Sequence, residues 1–244
     1  MRLEENNCLQ FVIDTCNQQK NGIIVFDNVG RWLLLELLKQ LKPNVICSEF
    51  PDFISSEVVV EHFTITSSKE NKKGSSFKIE SRINNKTLDE IITKWEDNCR
   101  RSPFESGTMR IKKIKNIYDN FSYENFLLSL KKNLQHHVDS LLKFNISGRK
   151  VIFLIELQDA LMGIYKDGIF KKFYELHADK NAIQIIKRYI HQLNYIIFKA
   201  TDRLEIIDMR KINELYDKSY IENDIRGGRR TDICLLIHND ICIF

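Results

Sequence analysis

Several signatures that would decide the chemistry of a 244-residue chain are missing from this one. There is no Walker A loop, no G-x-G-x-x-G, no G-x-S-x-G and no H-E-x-x-H. Their absence removes the ordinary nucleotide-binding, serine-hydrolase and zinc-protease readings. The six cysteines, at 8, 16, 47, 99, 234 and 242, form no C-x-x-C pair. No short-spaced Cys and His cluster offers zinc ligands, and the chain is too long to depend on a disulfide framework. The cysteines therefore read as reduced, small apolar side chains. The opening residues, MRLEENN, lack the apolar stretch of a signal peptide. Apolar runs such as 151–155 are far too short for a membrane span. The expectation is a cytoplasmic protein with no membrane partner. Internal repeats, low-complexity tracts and long linkers are missing as well. The net charge of +4, from 37 basic and 33 acidic residues, is too slight to imply nucleic acid by itself.

What is present suits a folded protein. The hydrophobic fraction of 43% and charged fraction of 29% are ordinary for a globular chain. The expected organisation is a single mixed α/β domain over residues 1–244, with a soft boundary near 105–120. Residues 6–20 predict a helix, 23–26 a short strand, and 29–41 a helix stopped by Pro43. Trp32, Leu33, Leu35, Leu37 and Leu38 wrap that second helix and predict burial on more than one side. The runs 45–53 and 58–66 are β-like, and 67–76 reads as a polar, basic loop. Thr87 and Glu90 form a capping box for a helix to about residue 100. A long helix is predicted over 122–144, with Phe126, Leu130, Leu134, Val138 and Leu141 on one stripe. Further predictions are a buried strand at 150–157, a helix at 178–193, paired strands at 195–200 and 204–208, and a terminal hairpin over 233–244. Helices and strands intermix, which predicts a central mixed β-sheet flanked by helices.

The informative chemistry lies in residues 51–65. A hairpin turning at 54–57 would set Phe53 opposite Val58 and Asp52 opposite Val59. Opposed residues share a face and side chains alternate along a strand. Asp52 and Glu61 would then be diagonal neighbours on one face, roughly 7–8 Å apart at Cα. A loop of three or five residues would send them to opposite faces. Two carboxylates at that spacing can converge on a hard cation such as Mg²⁺, which can polarise a phosphoryl oxygen and acidify bound water.

Pro51-Asp52, a short strand-turn-strand, and Glu61 near the end of Val58-Val59-Val60-Glu61 resemble the PD-(D/E)XK, restriction-endonuclease-like, nuclease superfamily. The resemblance covers about 25 residues clearly and the first 100 loosely. It implies a core of helix, three or four strands and helix, with both carboxylates on Mg²⁺ and a lysine near the attacking water. The position two after Glu61, where the family places lysine, is Phe63. A migrated lysine would come from Lys72-Lys73-Gly74-Ser75, with Lys73 the first choice and Lys69 or Lys72 behind it. Glu36 would be the additional acidic metal ligand that some members carry. Glu156-x-Gln158, with Asp159 beside it, is a second arrangement of the same type.

Ordinary roles stand beside these. Asp52 can be a turn residue that caps loop backbone, and Glu61 an edge-strand charge. His62 points away from Glu61 and reads as packing. His136 and His137 diverge by about 100° on their helix and cannot readily share one metal. Basic residues gather at 69–78, at Arg110, Lys112, Lys113 and Lys115, and at Arg226, Arg229 and Arg230. Arginines beside Gly227 and Gly228 suit phosphate contacts, and together the clusters could neutralise a nucleic-acid backbone. The expected function is Mg²⁺-dependent hydrolysis of DNA or RNA phosphodiesters. The alternative is a non-catalytic nucleic-acid-binding or protein-interaction module with a degenerate nuclease-like fold.

Overall fold

The computed structural model describes residues 2–18, 23–25, 28–44, 50–68, 70–71, 74–75, 122–157, 161–166, 169–200, 203–221 and 225–228. In chain order these form α1 (Arg2–Gln18), β1 (Ile23–Val25), α2 (Asn28–Lys39), β2 (Lys42–Pro43), β3 (Phe53–Ile54) and β4 (Val58–Ile65). Next come β5 (Glu70–Asn71), β6 (Gly74–Ser75), α3 (Tyr123–Leu141), β7 (Lys150–Leu157), β8 (Leu161–Lys166) and β9 (Ile169–Phe173). The series ends with α4 (Lys180–Lys187), β10 (Tyr195–Lys199), β11 (Leu204–Asp208), α5 (Ile212–Lys218) and β12 (Ile225–Gly228).

Seven strands build one mixed sheet in the order β1-β11-β10-β7-β4-β3-β2. Its centre is parallel: β4 runs beside β7 with Val58 across from Lys150, and β10 beside β7 with Tyr195 across from Ile152. Parallel strands are covered on both faces, and these read as near-continuous apolar runs for that reason. One face carries α3 and α4 over Val59, Phe63, Ile65, Phe153 and Ile155. The other carries α1 and α2 over Val58, Val60, Ile152 and Leu154. The mixed sheet flanked by helices is as the sequence predicts.

Local signals explain the helices. Ser122 caps α3 by accepting from the Asn125 N–H. The stripe Phe126, Leu130, Leu134, Val138 and Leu141 is buried on the sheet. Each such side chain contributes about 1.5–3 kcal/mol relative to exposure. Asp179 caps α4 by accepting from the N–H groups of Asn181 and Ala182, and the hydroxyls of Tyr123 and Tyr174 fill its remaining acceptor positions.

Several elements differ from expectation. The helix predicted over 122–144 stops three residues sooner, and Gly148, at φ 74°, lies in the turn that leads into β7. The α-helix predicted over 178–193 is only eight residues long and continues as turns. On α2, Trp32 and Leu33 are about half exposed while Leu34, Leu35, Leu37 and Leu38 are buried, so one side packs rather than several. β5 pairs with β6 antiparallel, Glu70 across from Ser75 and Asn71 across from Gly74. The β8–β9 hairpin, extended by β12 into a second sheet, was not anticipated, nor was α5. The predicted helix at 87–100 and the terminal hairpin lie outside the described residues, as do positions 45–49 of the strand expected over 45–53; of its described part only Phe53 is in a strand.

Candidate metal centre beside strand β4

The hairpin that positions Asp52 and Glu61 turns one residue further along than 54–57. Ser55 builds it: its N–H donates to the Val58 carbonyl at 2.8 Å, and its Oγ accepts from the N–H groups of Glu57 and Val58. A hydroxyl that satisfies backbone two and three residues on is a common turn-forming device. The strand pairs are therefore Ile54 with Val59 and Phe53 with Val60, not Phe53 with Val58. Moving the register by two in the sum of paired residues leaves the parity intact. One step beyond the last bonded pair, Asp52 falls directly across from Glu61 rather than diagonal to it.

β3 is two residues long and leaves β4 at this point. The His62 N–H, which has no further strand partner from β3, donates instead to Asp52 Oδ2 at 2.7 Å. Asp52 thus combines the ordinary backbone-capping role with a position beside a second carboxylate. Burial foremost, then the charge of Glu61, pushes the Asp52 carboxyl up to about 7, against the opposing pull of the His62 N–H. Crowded carboxylates of this kind bind a proton or a cation to relieve the repulsion.

Glu61 is 8% exposed in the middle of β4. Its Oε1 accepts from His137 Nδ1 at 2.7 Å, a contact that assigns the Nδ1–H tautomer. Its Oε2 is buried with no hydrogen-bond partner among the described residues. A buried orphan carboxylate oxygen costs free energy unless something positive meets it. His137 was not expected here, because the sequence argument concerned whether it could share a metal with His136. The two do diverge: His136 is exposed and His137 turns inward. His137 reaches Glu61 alone, from the buried stripe side of α3.

Phe63 occupies the position where the resembling family carries lysine. Its ring stacks on His137 with centroids 4.3 Å apart and 9° between planes, and meets Phe153 edge-on at 5.5 Å. It is buried core that also orients the imidazole. Glu36 is not brought to the pair: it is exposed on α2, against the opposite face of the sheet, and bonds Lys39 at 2.9 Å. Lys72, Lys73, Arg229 and Arg230 lie outside the described residues. Arg226 is on β12, its backbone paired with Gly163, and its side chain is not described.

His62 and Glu156 project from the α1 side of the sheet. His62 Nε2 donates to Glu156 Oε2 at 3.2 Å, and Lys199 Nζ donates to Glu156 Oε1. Burial alone would raise the Glu156 carboxyl, but these two bonds and the Lys199 charge outweigh it and hold the group at about 2.

No family model, no curated protein and no solved structure matches the chain. Among the described residues no helix is long and apolar enough to cross a membrane.

Proposed function

We propose that the Asp52–Glu61 pair holds a divalent cation, Mg²⁺ by its oxygen chemistry, and that the protein hydrolyses phosphodiester bonds of DNA or RNA. The observation that carries this reading is the buried Glu61 Oε2, unpartnered among the described residues, on a carboxylate directly across from a second carboxyl that is pushed up to about 7. The donor set fits a hard cation: two carboxylates, with water completing the shell. When bound, the cation supplies charge at a phosphoryl oxygen and acidifies water for attack. The chain's own residues do the rest. Glu61 offers Oε2 while His137 engages Oε1 and fixes the plane of the carboxylate. Asp52 is anchored by the His62 N–H through Oδ2. Lys73 would orient water or offset charge, with Lys72, Arg226, Arg229 and Arg230 on phosphate oxygens.

The test is cleavage of duplex DNA, single-stranded DNA and structured RNA in Mg²⁺ or Mn²⁺ by the wild-type chain, Asp52→Asn and Glu61→Gln. Metal-dependent cutting that both substitutions abolish is expected. Cutting that survives both would remove the assignment.

The Phe63–His137 stack favours a second reading, since aromatic packing fills the position of the family lysine. On that reading the protein binds nucleic acid without cutting it. Binding that weakens steeply with salt, with no turnover in either metal, would select it.

A further inference from the structure

The face of the sheet opposite Glu61 carries another group of metal-ligating side chains, contributed by three distant parts of the chain. Cys8 projects from α1, His62 from β4 and Glu156 from the carboxyl end of β7. One ligand atom from each, the Cys8 Sγ, a His62 ring nitrogen and a Glu156 carboxylate oxygen, lies within 4.8 Å of the other two. Cys8 is 1% exposed. His62 is nearly as buried, and Glu156 keeps a partial opening to solvent.

We propose that Cys8, His62 and Glu156 form a binding site for a borderline divalent metal of the zinc type, separate from the carboxylate pair and independent of the nuclease reading. The ligand chemistry selects the metal class. Thiolate and imidazole favour zinc, cobalt and copper over Mg²⁺, which takes oxygen. Three protein ligands with partial access at the carboxylate leave a fourth position for water, the pattern of an open rather than a sealed zinc site. The geometry is close to sufficient. Tetrahedral zinc holds its ligand atoms roughly 3.3–3.6 Å apart, and His62 Nε2 and Glu156 Oε2 are already 3.2 Å apart. From a separation of up to 4.8 Å, the remaining contraction is roughly 1.2–1.5 Å at most, within reach of side-chain adjustment on α1.

Charge balance is built in. Cys8 thiolate and Glu156 carboxylate neutralise the two positive charges of the metal; as it enters, the thiol proton leaves to solvent and the His62 ring proton shifts from Nε2 to Nδ1, freeing Nε2 as the ligand. Lys199, which now neutralises Glu156, would be displaced by the metal. It has somewhere to go: its ammonium lies 5.1 Å from the centroid of the Phe11 ring. A cation over an aromatic face is favourable, so the ammonium can leave the carboxylate without losing all compensation. Lys199 thus acts as the resident counter-ion of the metal-free site.

Cobalt is the probe, because Co²⁺ bound to a thiolate gives a near-ultraviolet charge-transfer band and intense visible bands when tetrahedral. The full chain, kept reduced, is titrated with Co²⁺ and then with Zn²⁺. One equivalent should produce both bands, Zn²⁺ should remove them, and Cys8→Ser should bind cobalt at least about tenfold more weakly with no charge-transfer band. Asp52→Asn should leave the bands unchanged, which separates this site from the carboxylate pair. Should Cys8→Ser fail to fold, Glu156→Gln is read for the same weakening. Absence of a thiolate band in the wild type, or a band that persists at full strength in Cys8→Ser, overturns the proposal.

Discussion

Replacing Asp52 by asparagine isolates the charge that faces Glu61. Asparagine keeps an oxygen acceptor for the His62 N–H and deletes only the carboxylate. The Asp52 carboxyl moves from its ordinary 3.8 to about 7 on folding, so the native state binds an additional proton between those values. A raised carboxyl favours the fold fully below 3.8, and that contribution is lost as the pH climbs through 7. At 1.36 kcal/mol per pH unit the gap sets a ceiling of about 4 kcal/mol. Asp52 is only partly buried, and solvent screening brings the figure to about 2 kcal/mol. The stability difference between Asp52→Asn and the wild type should therefore shift in favour of the variant by about 2 kcal/mol between roughly pH 4 and pH 8. Urea denaturation at constant ionic strength, without divalent cations, measures it. Adding Mg²⁺ near pH 8 should raise the wild-type midpoint and leave that of the variant in place. An equal difference at both pH values would refute the claim that these two groups crowd each other.

Other outcomes follow from packing and capping. Leu130→Ala, fully buried in the α3 stripe, should cost about 2–5 kcal/mol in chemical denaturation, whatever the metal content. Asp179→Ala removes the cap of α4 and the acceptor for the Tyr123 and Tyr174 hydroxyls. A loss of about 3–5 kcal/mol is expected, and a loss under about 1 kcal/mol would mean the network is dispensable. Glu156 is held at about 2, below its ordinary 4.5, so its contribution is complete above 4.5 and disappears as the pH falls through 2. Glu156→Gln should flatten the acid limb of the stability profile followed by circular dichroism, and an unchanged limb would count against the His62 and Lys199 bonds. Ser55→Ala should destabilise the hairpin by roughly 1 kcal/mol, since the Glu57 and Val58 N–H groups lose their acceptor.

The periodic parts of the chain were legible and the long-range assembly was not. β7 and β11 have the bounds their apolar runs indicate, and α3 buries the five residues its stripe names. Parity across the β3–β4 turn was readable because side chains alternate strictly, and extending the observed pairs by one step still sets Asp52 opposite Glu61 even though the register differed. The turn itself was misplaced because Ser55 competes for backbone N–H groups in a way composition does not rank. His137 was missed because adjacent histidines were weighed against each other rather than against a strand 76 residues away. The Cys8, His62 and Glu156 cluster escaped for the same reason: the search for metal ligands looked for short spacing, and parallel pairing joins residues 94 apart. β8 and β9 were missed because their alternation is broken by a register shift between Ile164 and Tyr165.

Consecutive residues of β4 face different chemistry, Glu61 toward His137 on one side and His62 toward Glu156 on the other. β4 is held in place by eight paired positions along β7, so a change in length at the Ser55 turn must be absorbed by β3. Inserting one amino acid there would carry Asp52 to the far side and part it from its acidic neighbour, whereas inserting two would restore the arrangement. Tolerance to insertion at this tip should therefore depend on whether the number added is odd or even.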